Sequence, residues 1–315
     1  MTTMFVFPGQ GSQSVGMMRA YEGLPEIRET FREASDALGI DLWRLVDQGP
    51  EAELTRTRNT QPVMLTAGVA VWRAWKALGG HDPAFVAGHS LGEYSALVAA
   101  EALAFSDAVR LVRLRGEAMQ EAVPEGVGAM AAILGIDAAA VSDVCAQAAS
   151  AEEIVAPANL NAPGQIVVAG HRDAVLLAAE LAKARGAKRA VLLPVSAPFH
   201  CALMRPAAER LAAALAEVEV HSPRIPVIHN VDVATHAEPE AIRAALVAQA
   251  YSPVRWIETI EHAAASGVTR VVECGPGKVL AALTKRIVKS LESVALSDAQ
   301  AVQSLLETER DDGKD

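Results

Sequence analysis

Short apolar runs alternate with stretches of helical period along this chain, and their order predicts an α/β protein. Met4-Phe5-Val6-Phe7 is a continuous apolar run of buried-strand type, stopped by Pro8-Gly9-Gln10-Gly11-Ser12-Gln13. A polar-rich helical region follows to about residue 60, and Val63–Leu78 keeps helical spacing until Gly79-Gly80 ends it. Phe85–Ala87 reads as a second buried strand. It enters Gly88-His89-Ser90-Leu91-Gly92, and a small-residue helix leaves through Ala100. Asp107–Ala122 is a further helix, carrying Arg110, Arg113 and Arg115.

From about Gly126 the texture changes. Ala129–Leu134 reads as a strand, Asp137–Ala149 as a helix, and Ile154–Leu160 and Gln165–Gly170 as strands broken by the turn Asn161-Ala162-Pro163-Gly164. Asp173–Arg185 is a helix and Arg189–Pro194 a strand, which completes the βαββαβ order of a ferredoxin-like unit. Elements of the first type then resume with Ile225–Asn230, the Pro239–Ala250 helix, Ile257–Ala265 and the Val268–Cys274 strand running into Gly275-Pro276-Gly277-Lys278. The expected organisation is one core from residues 1–125 and 196–315, with residues 126–195 inserted. The closing charged run Glu307–Asp315 has nothing to bury and reads as a frayed tail.

Composition narrows the function classes. A chain of 315 residues suits one large α/β unit carrying a smaller insertion. Its net charge is −10, and no basic stripe has interleaved aromatics, so nucleic acid is not an expected partner. Cys145, Cys201 and Cys274 lie far apart with no CxxC pair, which argues against a disulfide framework or zinc ribbon and for a reducing compartment. The N-terminal apolar run is too short for a signal peptide, and Pro62–Trp75 contains Arg73 and falls short of a bilayer span. A cytoplasmic protein with no membrane partner is expected.

The candidate chemistry centres on Ser90. Strand, GxSxG and helix in succession form a nucleophile elbow, whose glycines leave room for a serine held in strained backbone. The helix starting there points N–H groups at any developing oxyanion. A serine needs a base. His81, His171, His221, His236 and His262 stand in polar or loop-like contexts, and His89 lies in the elbow itself, where its side chain should diverge from that of Ser90. His200, after a strand end and Pro198, stands only slightly ahead of His229. No Asp stands out as a third member, which fits an ordinary hydrolase triad badly.

Several segments in order carry a stronger signal: FPGQGSQ, GHSLGEYSAL, RLVRLRGEAMQ, NAPGQIVVAG, VSAPFHCALM, IPVIHNVD, QAYSPVRW and ECGPGKVLAALTKRI. Over roughly residues 4 to 290 the sequence resembles the malonyl-CoA:acyl carrier protein transacylase family, whose fold also serves in polyketide and animal fatty-acid synthases. The resemblance implies an α/β-hydrolase-like core with a parallel sheet and an inserted ferredoxin-like subdomain. It implies Ser90 as nucleophile and His200 as base, with the histidine oriented by a main-chain carbonyl near Gln249 instead of a carboxylate. Gln10 and Leu91 would supply the oxyanion N–H groups, and Arg115 would grip the malonyl carboxylate. On periodicity alone Arg115 reads as part of a solvated helix face with Arg110 and Arg113.

Met119, Phe199 and Asn161 fall at the expected acyl pocket. Phe199 and Leu91 resemble the malonyl-selective pattern, in which a phenyl ring leaves no space for a branch at C2. The implied substrates are malonyl-CoA and the phosphopantetheine thiol of acyl carrier protein, with no bound cofactor and no metal. A monomer is expected. A serine esterase or thioesterase on the same core, and a non-catalytic carrier-protein-binding scaffold, are the rivals. Arg115, the missing Asp and the intact Gln10, Ser90 and His200 weigh against them.

Overall fold

The computed structural model describes residues 1–312. Its strands are β1 (Thr3–Phe7), β2 (Phe85–Gly88), β3 (Gly128–Leu134), β4 (Val155–Ala162), β5 (Gln165–His171), β6 (Arg189–Leu192), β7 (Val227–Ile228), β8 (Arg270–Glu273) and β9 (Glu292–Ala295). They build a parallel sheet ordered β7-β2-β1-β8-β9 and an antiparallel sheet ordered β4-β5-β3-β6. The expected mixed α/β architecture is present.

The unbroken apolar run of β1 follows from its central place. Phe5 and Phe7 join the core under the helix Thr57–Ala77, where Phe5 meets Trp72 and Trp75 edge-on at centroid distances of 5.5 and 5.3 Å. Met4 and Val6 face the other way, into the core of the helices Trp256–Ala265 and Val279–Ile287. A parallel strand covered on both faces has no polar side to show. The neighbours β2 and β8 flank β1, so a crevice opens beyond the carboxyl ends of these strands, the usual ligand position in such sheets. The segments leaving those ends are Pro8–Gln13, the Ser90 elbow and Cys274–Lys278.

The antiparallel sheet follows the expected strand–helix–strand–strand–helix–strand order, and its helices Ala138–Ala148 and Arg172–Ala184 share a separate small core with it. Its β4 joins the parallel part through Leu160 N–H to Val254 O and Val254 N–H to Ala158 O, both 2.9 Å.

Several elements differ from expectation. Strand β4 runs on to Ala162, so the turn shrinks to Pro163-Gly164, and β7 keeps only Val227–Ile228 of the expected Ile225–Asn230. The long helix begins at Thr57, six residues before Val63, and takes Pro62 into its interior. Proline offers no N–H to the Arg58 carbonyl, and Arg113 Nη1 donates to that oxygen at 3.3 Å instead. The charged end is not a frayed tail. Val302, Leu305 and Leu306 are buried and dock a helix, Ala299–Asp312, that carries the charged residues 307–312 with it; Gly313–Asp315 lie outside the described residues. No helix among the described residues is long and apolar enough to cross a membrane.

Candidate active site

Ser90 sits between β2 and the helix Gly92–Ala99 with φ +53°, a left-handed conformation that costs a non-glycine residue about 1–2 kcal/mol. Packing enforces it. A Cβ on Gly88 would lie 1.8 Å from the Gly92 carbonyl carbon, and one on Gly92 would lie 2.0 Å from Phe7 O. Asn230, two residues past β7, clasps the elbow: its Oδ1 accepts from Ser90 N–H and its Nδ2 donates to Gly88 O, each at 2.7 Å. Gly92→Ala is therefore expected to lose about 3 kcal/mol or more of stability. Urea denaturation checks this, and a variant as stable as the parent would contradict the packing argument.

His200 lies on the loop after β6, and it too has positive φ, +60°. Its Nε2 is 2.6 Å from Ser90 Oγ and its Nδ1 is 2.9 Å from the main-chain oxygen of Gln249. A carbonyl only accepts, so Nδ1 carries the proton and Nε2 keeps a lone pair for the serine hydroxyl. His229 is equally buried but turns its Nδ1 to Glu93 Oε1 at 2.7 Å, away from Ser90. Geometry separates two histidines that spacing could not.

Burial, helped by the nearby Arg115 cation, pushes the His200 pKa down to about 3. The folded protein thus stays unprotonated at this ring where the unfolded chain takes up a proton, below about pH 6.5. Stability from this source is full above that pH and declines as pH falls toward 3, by on the order of 1 kcal/mol per unit. His200→Gln should flatten that part of the stability–pH curve; an unchanged slope between pH 6.5 and 4 would contradict it.

Arg115 lies on the helix Phe105–Glu121 and is not part of a solvated face. Arg110 is exposed and Arg113 half-buried, but Arg115 is only 2% exposed. The helix comes close enough because Gly116 packs on Thr57 and Arg58 of the long helix. Arg115 Nη1 donates to Gln61 Oε1 at 2.9 Å, and Nη2 to Gln249 Oε1 at 2.8 Å and Ser90 Oγ at 3.2 Å. Its Nε has no hydrogen-bond partner among the described residues. The guanidinium is thus hydrogen-bonded to neutral oxygens, and the buried Glu93 carboxylate favours its charge through space without a direct hydrogen bond. A buried cation so placed gains from an anion brought to it.

The cavity in front of Ser90 has a volume of about 150 Å³. Arg115, His200, Gln10 and Leu91 reach it from the parallel part, with Met119 and Phe199 as apolar walls. Met130, Asn159, Leu193 and Val195 close it from the antiparallel side. Leu91 caps the elbow helix, and the first N–H groups of a helix have no intrahelical acceptor. Asn161 is not part of the lining: its Oδ1 meets His89 Nε2 at 2.8 Å, and Asn159 takes the place facing the cavity. The pairing of β4 with β5 slips on either side of Leu160, so uniform alternation does not apply there. No group of His, Cys, Asp or Glu able to hold a metal ion occurs among the described residues.

The acyl transferase domain profile matches residues 4–314. The chain belongs to the acyl transferase domain family. A malonyl CoA-acyl carrier protein transacylase of Escherichia coli (strain K12) is 55% identical over 304 residues, 96% of this chain and 98% of that protein. An acyl carrier protein S-malonyltransferase from Vibrio cholerae O1 biovar eltor str. N16961 superposes with a TM-score of 0.95 at 54% identity, covering 97% of this chain and 100% of that one. A malonyl-transacylase solved in complex with its type II PKS acyl-carrier protein gives 0.96 at 52% identity, covering 98% and 100%.

Within this acyl transferase, sequence reasoning missed Gln61, Glu93, Asn230, Asn159 and the side chain of Gln249. Asn230 and Glu93 lay inside the quoted segments IPVIHNVD and GHSLGEYSAL. Their signal was a polar residue beside apolar ones, which points to burial but names no partner. Gln61 stood before Pro62 with no signal at all.

Proposed function

We propose that the chain transfers the malonyl group of malonyl-CoA to the phosphopantetheine thiol of acyl carrier protein, through a malonyl ester on Ser90. The observation that carries this reading is the buried Arg115, hydrogen-bonded by amide oxygens and by no carboxylate among the described residues, 3.2 Å from the Ser90 hydroxyl. An acyl group ending in a carboxylate satisfies both ends of the site at once, and a planar two-pronged donor suits that carboxylate better than lysine would.

His200 Nε2 takes the Ser90 proton as Oγ attacks the thioester carbonyl, and the N–H groups of Gln10 and Leu91 receive the oxyanion. Collapse expels CoA, whose sulfur leaves with the proton from His200. The carrier-protein thiol then attacks the ester, again giving its proton to His200, and Ser90 Oγ is expelled and reprotonated. The Gln249 carbonyl fixes the tautomer throughout but stabilises imidazolium less than a carboxylate would. Pinned by Arg115, the acyl group keeps its carbonyl in one pose, which favours an incoming thiol over stray water.

We read residues 1–125 and 196–315 as a hydrolase-like catalytic unit and 126–195 as a ferredoxin-like insertion that supplies the far wall of the cleft. Separate sheets and a separate small core support that division. Phe199 and Leu91 leave no room for a branch, so methylmalonyl-CoA should load Ser90 at least about 10-fold more slowly than malonyl-CoA. Peptide mapping of the labelled protein tests site and selectivity together. Label outside the Ser90 peptide, or equal rates for the two thioesters, would count against the reading.

A further inference from the structure

Gln249 does two things with two different oxygens. Its main-chain carbonyl accepts from His200, and its side-chain Oε1 accepts from Arg115. A glutamine amide can turn over and present NH2 where oxygen stood, which would set donor against donor at Arg115. Glu93 prevents this. It is fully buried, and its Oε2 accepts from Gln249 Nε2 at 3.0 Å, while the same nitrogen donates to Ser90 O at 2.8 Å. Two acceptors on the nitrogen side and a donor on the oxygen side leave one favourable orientation. Glu93 is itself fixed by Asn230 N–H at 3.0 Å and His229 Nδ1 at 2.7 Å.

We propose that the Gln249 side chain, locked by Glu93, is a positioning residue that aims Arg115 at the carboxylate of the acyl group and so sets selectivity for carboxylated acyl chains. One residue then ties the clamp to the base: an error in its side chain disturbs Arg115 while its carbonyl still serves His200. The inference rests on the reading of Arg115 given above.

The test measures acyl-enzyme formation from malonyl-CoA and acetyl-CoA in Gln249→Met, Glu93→Leu, Glu93→Gln and Arg115→Ala, with a fluorophosphonate that labels Ser90 reporting an intact dyad. Gln249→Met keeps the main-chain carbonyl and removes the amide. It should lower kcat/KM for malonyl-CoA about 10- to 100-fold, mostly through KM, and lower that for acetyl-CoA by at least about 5-fold less than that. Glu93→Leu frees the amide to turn over and should show the same signature. Glu93→Gln should rescue, because its own amide can offer oxygen to Gln249 and Asn230 while His229 accepts at Nδ1 in its other tautomer. If Glu93→Leu does not fold, Gln249→Met with Glu93→Gln still decides the matter.

Equal losses for both thioesters in Gln249→Met, or no loss for malonyl-CoA, would overturn the inference. So would a Glu93→Gln variant as impaired for malonyl-CoA as Gln249→Met. Should Arg115→Ala fail to discriminate between the thioesters, the reading of Arg115 is what falls. Should it discriminate where Gln249→Met does not, only the positioning role falls.

Discussion

Arg115→Ala should lower acyl-enzyme formation from malonyl-CoA by about 150- to 5,000-fold while acetyl-CoA reacts at an unchanged or higher rate. The magnitude follows from removing one member of a buried ion pair, which leaves the other charge out of water and costs about 3–5 kcal/mol. Here the stranded charge is the malonyl carboxylate, facing a site that also leaves Gln61 Oε1 and Gln249 Oε1 without their donor. An acetyl group brings no charge and needs no guanidinium. Arg115→Lys should fall in between, since an ammonium that serves both amide oxygens has one donor left for the carboxylate and cannot grip it with two prongs. Stopped-flow loading with the two thioesters checks this, and a common loss for both would remove the carboxylate from Arg115's account.

His200→Ala should have a larger and less selective effect, about 10⁴-fold or more on loading and on transfer, whichever acyl group is carried. In the proposed mechanism the same nitrogen accepts a proton in both half-reactions, so no substrate escapes the loss. The pH dependence carries a second expectation. Arg115 helps to hold the His200 pKa low, after burial itself. When a carboxylate binds Arg115, part of that cationic pressure is relieved and the His200 pKa rises. The acid limb of the transfer step, run from the loaded enzyme, should therefore lie at higher pH than that of the loading step. Coincident limbs, or the reverse order, would contradict the electrostatic coupling of the two residues.

What the sequence made legible was local. Phe85–Gly92 declared a strand and a strained turn because glycine spacing and apolar runs are short-range signals. Met4–Phe7 declared a buried strand for the same reason, though not that it lies between β2 and β8. The choice between His200 and His229 was beyond periodicity, since both are buried and only three-dimensional placement puts one on Ser90 and the other on Glu93. The resemblance to the transacylase family supplied His200, Arg115 and the Gln249 carbonyl. It did not supply Gln249's second task or the Asn230 clasp, which depend on contacts more than 130 residues apart in sequence.

Misreadings share a cause: tertiary packing outweighed local composition. In the closing helix, three buried apolar residues hold a charged end that composition alone would leave unfolded. Asn161 was placed in the acyl pocket by its motif, while the irregular pairing of β4 gives that position to Asn159.

The most direct measurement is intact-mass analysis of the protein loaded with malonyl-CoA and then split between buffer and holo acyl carrier protein. The account predicts one malonyl adduct per chain, absent in Ser90→Ala, stable in buffer and lost to the carrier-protein thiol within the mixing time. An adduct that decays to free malonate faster than it passes to carrier protein would make this site a hydrolase and contradict the account.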